Sequence, residues 1–226
     1  MSSFKSKLRS QIKKPIKDGL LAKLGDINLL DDFYSLFSEH MRDFGSPVHS
    51  KKWFAKILKN FGERAILCLA YGKNNLPQAG GMILCHDRVV SIPWACTLKR
   101  FNRCNPNMLL YWTLLQYAAD NGYQFFDFGR STPGMGTYKF KAQWGAIAYP
   151  MYWNRTDTTS SIFIPQNEQY NGQKDTNSKA RRYKEKVFQG FPVSMATVLG
   201  SRLRRYVSLY FFVIAKWSNL DYYRKH

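Results

Sequence analysis

The sequence holds no CxxC pair and only four cysteines, Cys68, Cys85, Cys96 and Cys104, three of them inside apolar runs. That excludes a disulfide framework and reads as buried thiols of a reducing compartment. The four histidines, His40, His49, His86 and His226, are scattered, so no metal site is expected. None stands at an informative spacing from Cys104, which leaves that residue a loop thiol rather than a nucleophile. Long apolar runs are missing too. The longest, Tyr206 to Trp217 (YVSLYFFVIAKW), falls short of the about 20 residues that a membrane-spanning helix needs. The N-terminal run Gly19 to Leu24 is interrupted by Lys23, so no secretory leader is expected and the chain reads as cytoplasmic.

Acids are scarce: 15 Asp and Glu stand against 34 Lys and Arg, for a net charge of +19. The excess sits at the ends. Residues 1–25 hold seven basic residues against one acid and residues 174–226 twelve against three, while the middle holds fifteen against eleven. Ends of this kind suit RNA or an anionic membrane surface, or serve solubility with a few phosphate contacts.

What is present is enough apolar sequence, 45% with 16% aromatic, to build a core across 226 residues. Residues 1–25, lysine-rich and broken by Pro15 and Gly19, read as a basic linker-like arm. Leu29, Leu30, Phe33, Leu36, Phe37, Met41 and Phe44 recur at threes and fours, which predicts an amphipathic helix ending at Gly45 and Pro47. A second helix follows through Trp53, Phe54, Ile57 and Leu58. Three strands are predicted over 65–71, 79–85 and 89–97, with Pro93 marking an edge or a bulge. Asn107 is the expected cap of a helix over 108–120 that is apolar nearly all round and therefore buried. A strand over 123–128, a short helix over 138–144 capped by Thr137, and a last strand over 146–153 complete a domain spanning 26–155. A polar loop follows over 156–177, then a basic helical tail over 178–226 with helices around Pro192. The tail's run from Tyr206 to Trp217 either lies on a membrane surface, packs on the domain, or is disordered. This order gives an α+β fold: a mixed sheet with flanking helices, in which a strand–buried helix–strand step makes a parallel crossover.

The densest chemistry lies between Phe125 and Gly145, FFDFGRSTPGMGTYKFKAQWG. A strand breaks at glycines and restarts as a short helix, the kind of strand end where α/β folds place function. On that helix Tyr138 and Lys141 share one face, and Phe140 and Trp144 another.

Three stretches, NMLLYWTLLQYAADNG (Asn107 to Gly122), FDFGRS (Phe126 to Ser131) and GTYKFKAQWGA (Gly136 to Ala146), resemble the C-terminal GNAT-like half of the FemAB/FemX family. These are the peptidoglycan-bridge aminoacyltransferases and their relatives of exopolysaccharide clusters. FYSLFSEHMRDFGSPVHSKKWF (Phe33 to Phe54) is similar to the helical segment leading into that half, and LRSQIKKPIKDGL (Leu8 to Leu20) to the linker between two halves. The likeness covers roughly residues 8–155, with a weaker one at 180–206. It implies a GNAT-like fold and an N-acyltransferase acting on an amine of a cell-wall or envelope-polysaccharide precursor. Family members usually carry two such domains, so the first is expected to be missing here. The alternatives are a non-catalytic or split half-enzyme that pairs with a separately encoded N-terminal half, and an acyl-CoA-dependent N-acyltransferase.

The resemblance maps the family's reaction-centre Phe–Lys pair onto Phe140 and Lys141. Lys141 would then stabilise the oxyanion of the tetrahedral intermediate; otherwise it pairs with Asp127 or faces solvent. Asp127 is a general base or the partner of Arg130 or a lysine. Tyr138 donates a hydrogen bond to the reacting group or is a half-buried core tyrosine. Arg130 binds a substrate phosphate or carboxylate or caps the strand end. Trp94, Arg100, Arg103 and Arg42 are the remaining candidates for holding donor or acceptor. No cofactor is expected. The donor implied is aminoacyl-tRNA, with acyl-CoA the alternative; against the latter, the turn Arg100–Pro106 has no glycine to cradle a pyrophosphate. The expected partners are an envelope precursor, tRNA and an anionic membrane face, placing the protein in the cytoplasm or peripheral to the inner membrane.

Overall fold

A computed structural model describes residues 4–150, 154–155, 164–165, 186–187 and 189–202. The chain divides into two compact units, Met1–Arg130 with Lys184–His226, and Ser131–Tyr183.

The first unit is built on one five-stranded sheet of order β1-β2-β3-β4-β5. The strands are β1 (Leu21–Gly25), β2 (Ala65–Tyr71), β3 (Pro77–His86), β4 (Val89–Thr97) and β5 (Phe125–Asp127). Neighbours from β1 to β4 run antiparallel, and β4 pairs with β5 in parallel from Val89↔Phe125 to Ser91↔Asp127. Among the described residues of this unit are the helices α1 (Ser6–Lys17), α2 (Leu30–Asp43), α3 (Lys51–Phe61) and α4 (Pro106–Asp120), and α6 (residues 193–202), which lies on the segment after α2. The second unit contains α5 (Gly136–Gln143) and a two-residue antiparallel pair, Asn154–Arg155 with Ile164–Pro165.

The period-2 geometry of the strands sorts their side chains between two cores. From β2, Leu67, Leu69 and Tyr71 face α2 and α3, joining Phe33, Leu36, Phe37 and Phe54. Cys68 and Ala70 face the other way, toward Leu109, Leu110 and Leu114 of α4. Both faces of β2 are covered, which is why its sequence reads as an unbroken apolar run rather than an alternation. At Gly80 an added Cβ would lie 2.6 Å from Leu69 Cδ2 and 2.9 Å from Leu36 Cδ2, so the close approach of α2 to β3 needs a glycine there.

One irregularity matters most. Met82 pairs with Trp94, but Leu84 pairs with Ser91, so β4 carries one residue more than β3 across this step. This is a β-bulge at Ile92–Pro93, the place where a residue without an N–H is tolerated. It reverses the parity of β4. Val90 and Ile92 face α4, whereas Trp94 and Cys96 face α2 and α3.

The structure departs from the sequence reading at several points. Residues 6–25 are not an arm: Leu8, Ile12 and Pro15 of α1 are buried, and β1 is the edge strand of the sheet. Pro15 sits inside α1. Because α1 lies along α4, it supplies the cover that a helix apolar nearly all round demands. Asn107 does not cap α4; the start is set by Pro106, whose fixed φ suits the first helical position, with Asn105 before it in the left-handed region at φ 52°. Thr137 does not cap α5 either, since the helix already begins at Gly136 with Met135 as N-cap. Residues 146–150 form no strand, and Ile147 and Tyr149 are exposed there. The polar loop over 156–177, apart from Ile164–Pro165, and the run from Tyr206 to Trp217 lie outside the described residues.

Phe54 is fully buried and makes edge-on ring contacts with Phe33 at 5.3 Å, Phe37 at 5.4 Å and Trp94 at 5.6 Å. We expect Phe54→Ala to lower unfolding free energy by about 3–5 kcal/mol. Urea denaturation followed by tryptophan fluorescence tests this, and a loss below about 1 kcal/mol would remove Phe54 from the centre of the core.

Candidate active site

The bulge places Trp94 where α2 can meet it. Pro93, Trp94 and Ala95 of β4 form one wall of a recess of about 300 Å³, and Phe37, His40 and Met41 of α2 with His49 form the rest. Trp94 is held edge-on by Trp53 at 5.0 Å and by Phe54, and His49 stacks on Trp53 at 3.9 Å. The position of its ring is therefore set by aromatic packing. Tyr34 donates its hydroxyl to the His49 carbonyl at 3.0 Å, tying the loop after α2 to that helix.

His40 is the recess residue with acid–base capability fixed by its surroundings. Its Nδ1 lies 3.1 Å from the Thr97 carbonyl, which can only accept, so Nδ1 carries the proton and Nε2 keeps its lone pair. Burial lowers its pKa below the ordinary 6.5; the Thr97 carbonyl and Asp43 oppose that shift, and Lys99 adds to it. A neutral imidazole with a free acceptor nitrogen can take a proton from an ammonium or from an attacking amine.

The charged rim lies beside this recess. Glu39 accepts the forked guanidinium of Arg100, with Nη2–Oε2 at 3.2 Å, and stands 4.0 Å from Arg42 Nη2. Arg42 also donates to Asp43, at 2.7 and 3.0 Å. Lys99 Nζ sits 5.6 Å over the Phe44 ring. The structure thus gathers three residues singled out from sequence, Trp94, Arg42 and Arg100, around the end of α2. Arg103, also in the 3₁₀ segment Lys99–Cys104, is exposed and has no ion pair among the described residues.

Beyond Ser91↔Asp127 the ladder between β4 and β5 ends, although β4 runs on to Thr97. That edge of β4 from Ile92 onward pairs with no strand among the described residues. Asp127 stands at the end of the short parallel ladder, where its Oδ1 accepts from Gly129 N at 2.7 Å while Gly129 takes φ 69°. This is an Asx turn that shapes the strand end leading to Arg130. Phe128 stacks on Tyr111 at 5.8 Å and fastens the same turn to α4.

In the second unit Tyr138, Phe140 and Lys141 lie on α5, all half-buried, and Phe140 meets Trp144 edge-on at 6.2 Å. Three thiols are chemically quiet: burial pushes Cys68 up to about 12 and raises Cys85 and Cys96 as well. No cluster of metal-ligating side chains occurs among the described residues. Sequence reasoning missed His40, His49 and Glu39. Eight residues and a turn separate the two histidines, and neither belongs to a spacing motif; the available signal was His40 on the same predicted helix as Arg42.

Because His40 has a lowered pKa when folded, the unfolded chain binds its proton first as pH falls. Stability should be complete above about pH 6.5 and fall below it until the folded imidazole also protonates. His40→Asn, which keeps a donor for the Thr97 carbonyl, should flatten this fall in urea midpoints measured from about pH 8 to about pH 5. Identical slopes in the two proteins would show that His40 is not the titrating group.

Residues 2–142 match the family described as Acetyltransferase (GNAT) domain. Among solved structures, FemX aligns at TM-score 0.57 and 16% identity, covering 64% of this chain and 54% of its own. The chain therefore spans about half the length of FemX. AAC(6')-Iy, solved with a CoA-S-monomethyl-acetylneamine bisubstrate analogue, aligns at TM-score 0.51 and 11% identity, covering 61% of this chain and 98% of its own. L-PGS from Bacillus licheniformis aligns at 0.50 and 14%, covering 65% and 54%. At these identities the likenesses show the fold alone. No curated protein matches. The α+β sheet is the GNAT fold, and with a match running across more than half of its length the chain belongs to the GNAT acetyltransferase domain family.

Proposed function

We propose that this GNAT domain is an aminoacyltransferase of the FemAB kind, moving an aminoacyl group from tRNA to an amine of a cell-envelope precursor. One observation carries the choice of donor. A CoA pyrophosphate is held in this fold class by free backbone N–H groups at the start of the helix that follows β4. Here that start is α4, where Pro106 has no N–H and the N–H of Met108 is spent on the Asn105 carbonyl at 2.9 Å. Asn105 N in turn bonds the Asn102 carbonyl at 3.1 Å. Few amides are left for a diphosphate, and no glycine opens the turn.

In this reading the recess beside His40 and Trp94 receives the acceptor as its ammonium form, and His40 takes a proton from it. The unpaired edge of β4 offers N–H and C=O groups to an extended substrate backbone. On α5 of the second unit, Lys141 is the group that the resemblance to FemAB enzymes gives to support of a developing oxyanion, with Phe140 and Tyr138 on the same helix; Arg130 of the first unit takes an anionic group of a substrate. Asp127 holds the turn that carries Arg130. Arg42 and Arg100, already engaged by Glu39 and Asp43, set the charge at the rim, and Arg103 is available to RNA phosphate.

A second reading has its own support. AAC(6')-Iy, solved with a CoA-S-monomethyl-acetylneamine bisubstrate analogue, aligns with this chain over nearly its whole length. A CoA donor is therefore the alternative. A half-enzyme acting with a second, separately encoded domain is the other.

The purified chain should form amide product from charged tRNA and an envelope precursor, followed by mass spectrometry, and none from acyl-CoA. Lys141→Ala should cut that rate by about 10²–10³ with an unchanged circular dichroism spectrum. Product from acyl-CoA alone would reverse the donor assignment, and full activity in the variant would take Lys141 out of the reaction. Activity that appears only on adding an N-terminal half would establish the split-enzyme reading.

A further inference from the structure

Helix α6 is docked inside out. It packs on the segment after α2 through small residues: Ala196 is 4% exposed, and Gly200 is so close that an added Cβ would lie 2.9 Å from Val48 N. Gln189 Nε2 donates to the Asp43 carbonyl at 2.8 Å and anchors the approach to the helix. Small residues at 196 and 200 share one face, so the large apolar ones at 195, 198 and 199 share the other. Met195 is 56% exposed, Val198 55% and Leu199 41%. They line a shallow groove of about 390 Å³ with Ser194 and Arg202. A water-facing helix ordinarily shows the reverse arrangement.

We propose that this face of α6 is a membrane-contact surface that inserts Met195, Val198 and Leu199 among the acyl chains of an anionic lipid leaflet. Charge complementarity selects the partner. Around the helix the sequence places Lys184, Lys186, Arg202, Arg204 and Arg205 against the lone acid Glu185. An apolar stripe beside clustered cations is the combination that binds an anionic lipid surface, the cations drawing the helix to the headgroups and the apolar side chains entering the boundary. RNA would use the cations and leave the stripe in water, and a protein groove would not call for the cations. No helix among the described residues is long and apolar enough to cross a membrane, so the contact is interfacial.

The test uses the full chain and sedimentation with vesicles of phosphatidylcholine alone or with about one-third phosphatidylglycerol; it reads lipid binding without acyl transfer and so stands apart from the proposed activity. Wild-type protein should bind the anionic vesicles, bind neutral ones at least about tenfold more weakly, and lose affinity as salt rises. The double variant Val198→Asp, Leu199→Asp should lose about tenfold or more on anionic vesicles. Both positions face water, so the fold should survive, as circular dichroism would verify. Equal binding by variant and wild type would overturn the proposal in favour of purely electrostatic attachment, and no binding to either vesicle would overturn it outright. A concentration-dependent dimer abolished by the same variant would assign the face to a second copy instead. Protection of the face by residues 203–226, seen as vesicle binding only after their removal, would assign it to the chain's own C-terminal segment.

Discussion

The extra residue in β4 is the constraint from which the candidate site follows. Without it, Trp94 would share the face of Val90 and Ile92 and point at α4, where Leu110 and Leu114 already fill the space. With it, Trp94 crosses to the side of α2 and α3 and becomes the hinge of an aromatic cluster that includes Phe54, Trp53 and, through stacking, His49. The β5 ladder ends at Ser91↔Asp127, just before the bulge, so one edge of β4 from Ile92 onward pairs with no strand among the described residues. The one-residue insertion thus builds the apolar-walled recess beside a strip of unpaired strand backbone. Deleting it would turn every following β4 side chain to the opposite core.

The electrostatics of the recess and its rim divide cleanly. Arg42 and Arg100 converge on Glu39, so the rim is a paired network with its guanidinium groups already oriented. Such exposed or half-exposed pairs contribute little stability, about 0–1 kcal/mol, but they fix where positive charge sits. Inside, burial holds His40 neutral, and its one committed hydrogen bond goes to a backbone carbonyl. In the proposed reading, an ammonium arriving at the rim meets carboxylates already engaged by arginine, and further in it meets aromatic rings and an unprotonated imidazole. That gradient favours loss of its proton as it enters, which is the form an attacking amine must take.

The elements with strong local patterns were legible in the sequence. The spans of β2 and β4 read correctly from apolar runs bounded by turns, and Pro93 announced the bulge because a proline in an interior strand has few other places to be. The N-terminal segment was misread because lysine content suggested an arm; its buried residues, Leu8, Ile12 and Pro15, are few and are recruited by α4, so the deciding contact is tertiary. The apolar run of 146–153 suggested a strand, yet in its described part Ile147 and Tyr149 are exposed and nothing described pairs with them. The recess itself was invisible, since His40, His49 and Trp94 belong to a helix, a loop and a strand. Their meeting depends on the parity reversal, which no linear spacing records.

The donor question turns on how α4 begins. Pro106 gives the helix a sharp start, and Asn105, held at φ 52°, turns the chain into it with its carbonyl accepting from Met108. This start commits the Asn105 and Met108 N–H groups internally and has none at Pro106, where a phosphate-binding start must leave several N–H groups pointing outward. The stabilisation of α4 and the capacity for a diphosphate therefore compete for the same atoms. In this chain the helix has them, and the cations that remain near the turn, Arg103 above all, are exposed side chains of the kind that track a polyanion's backbone rather than enclose a small diphosphate. The proposed choice of a tRNA donor rests on that competition.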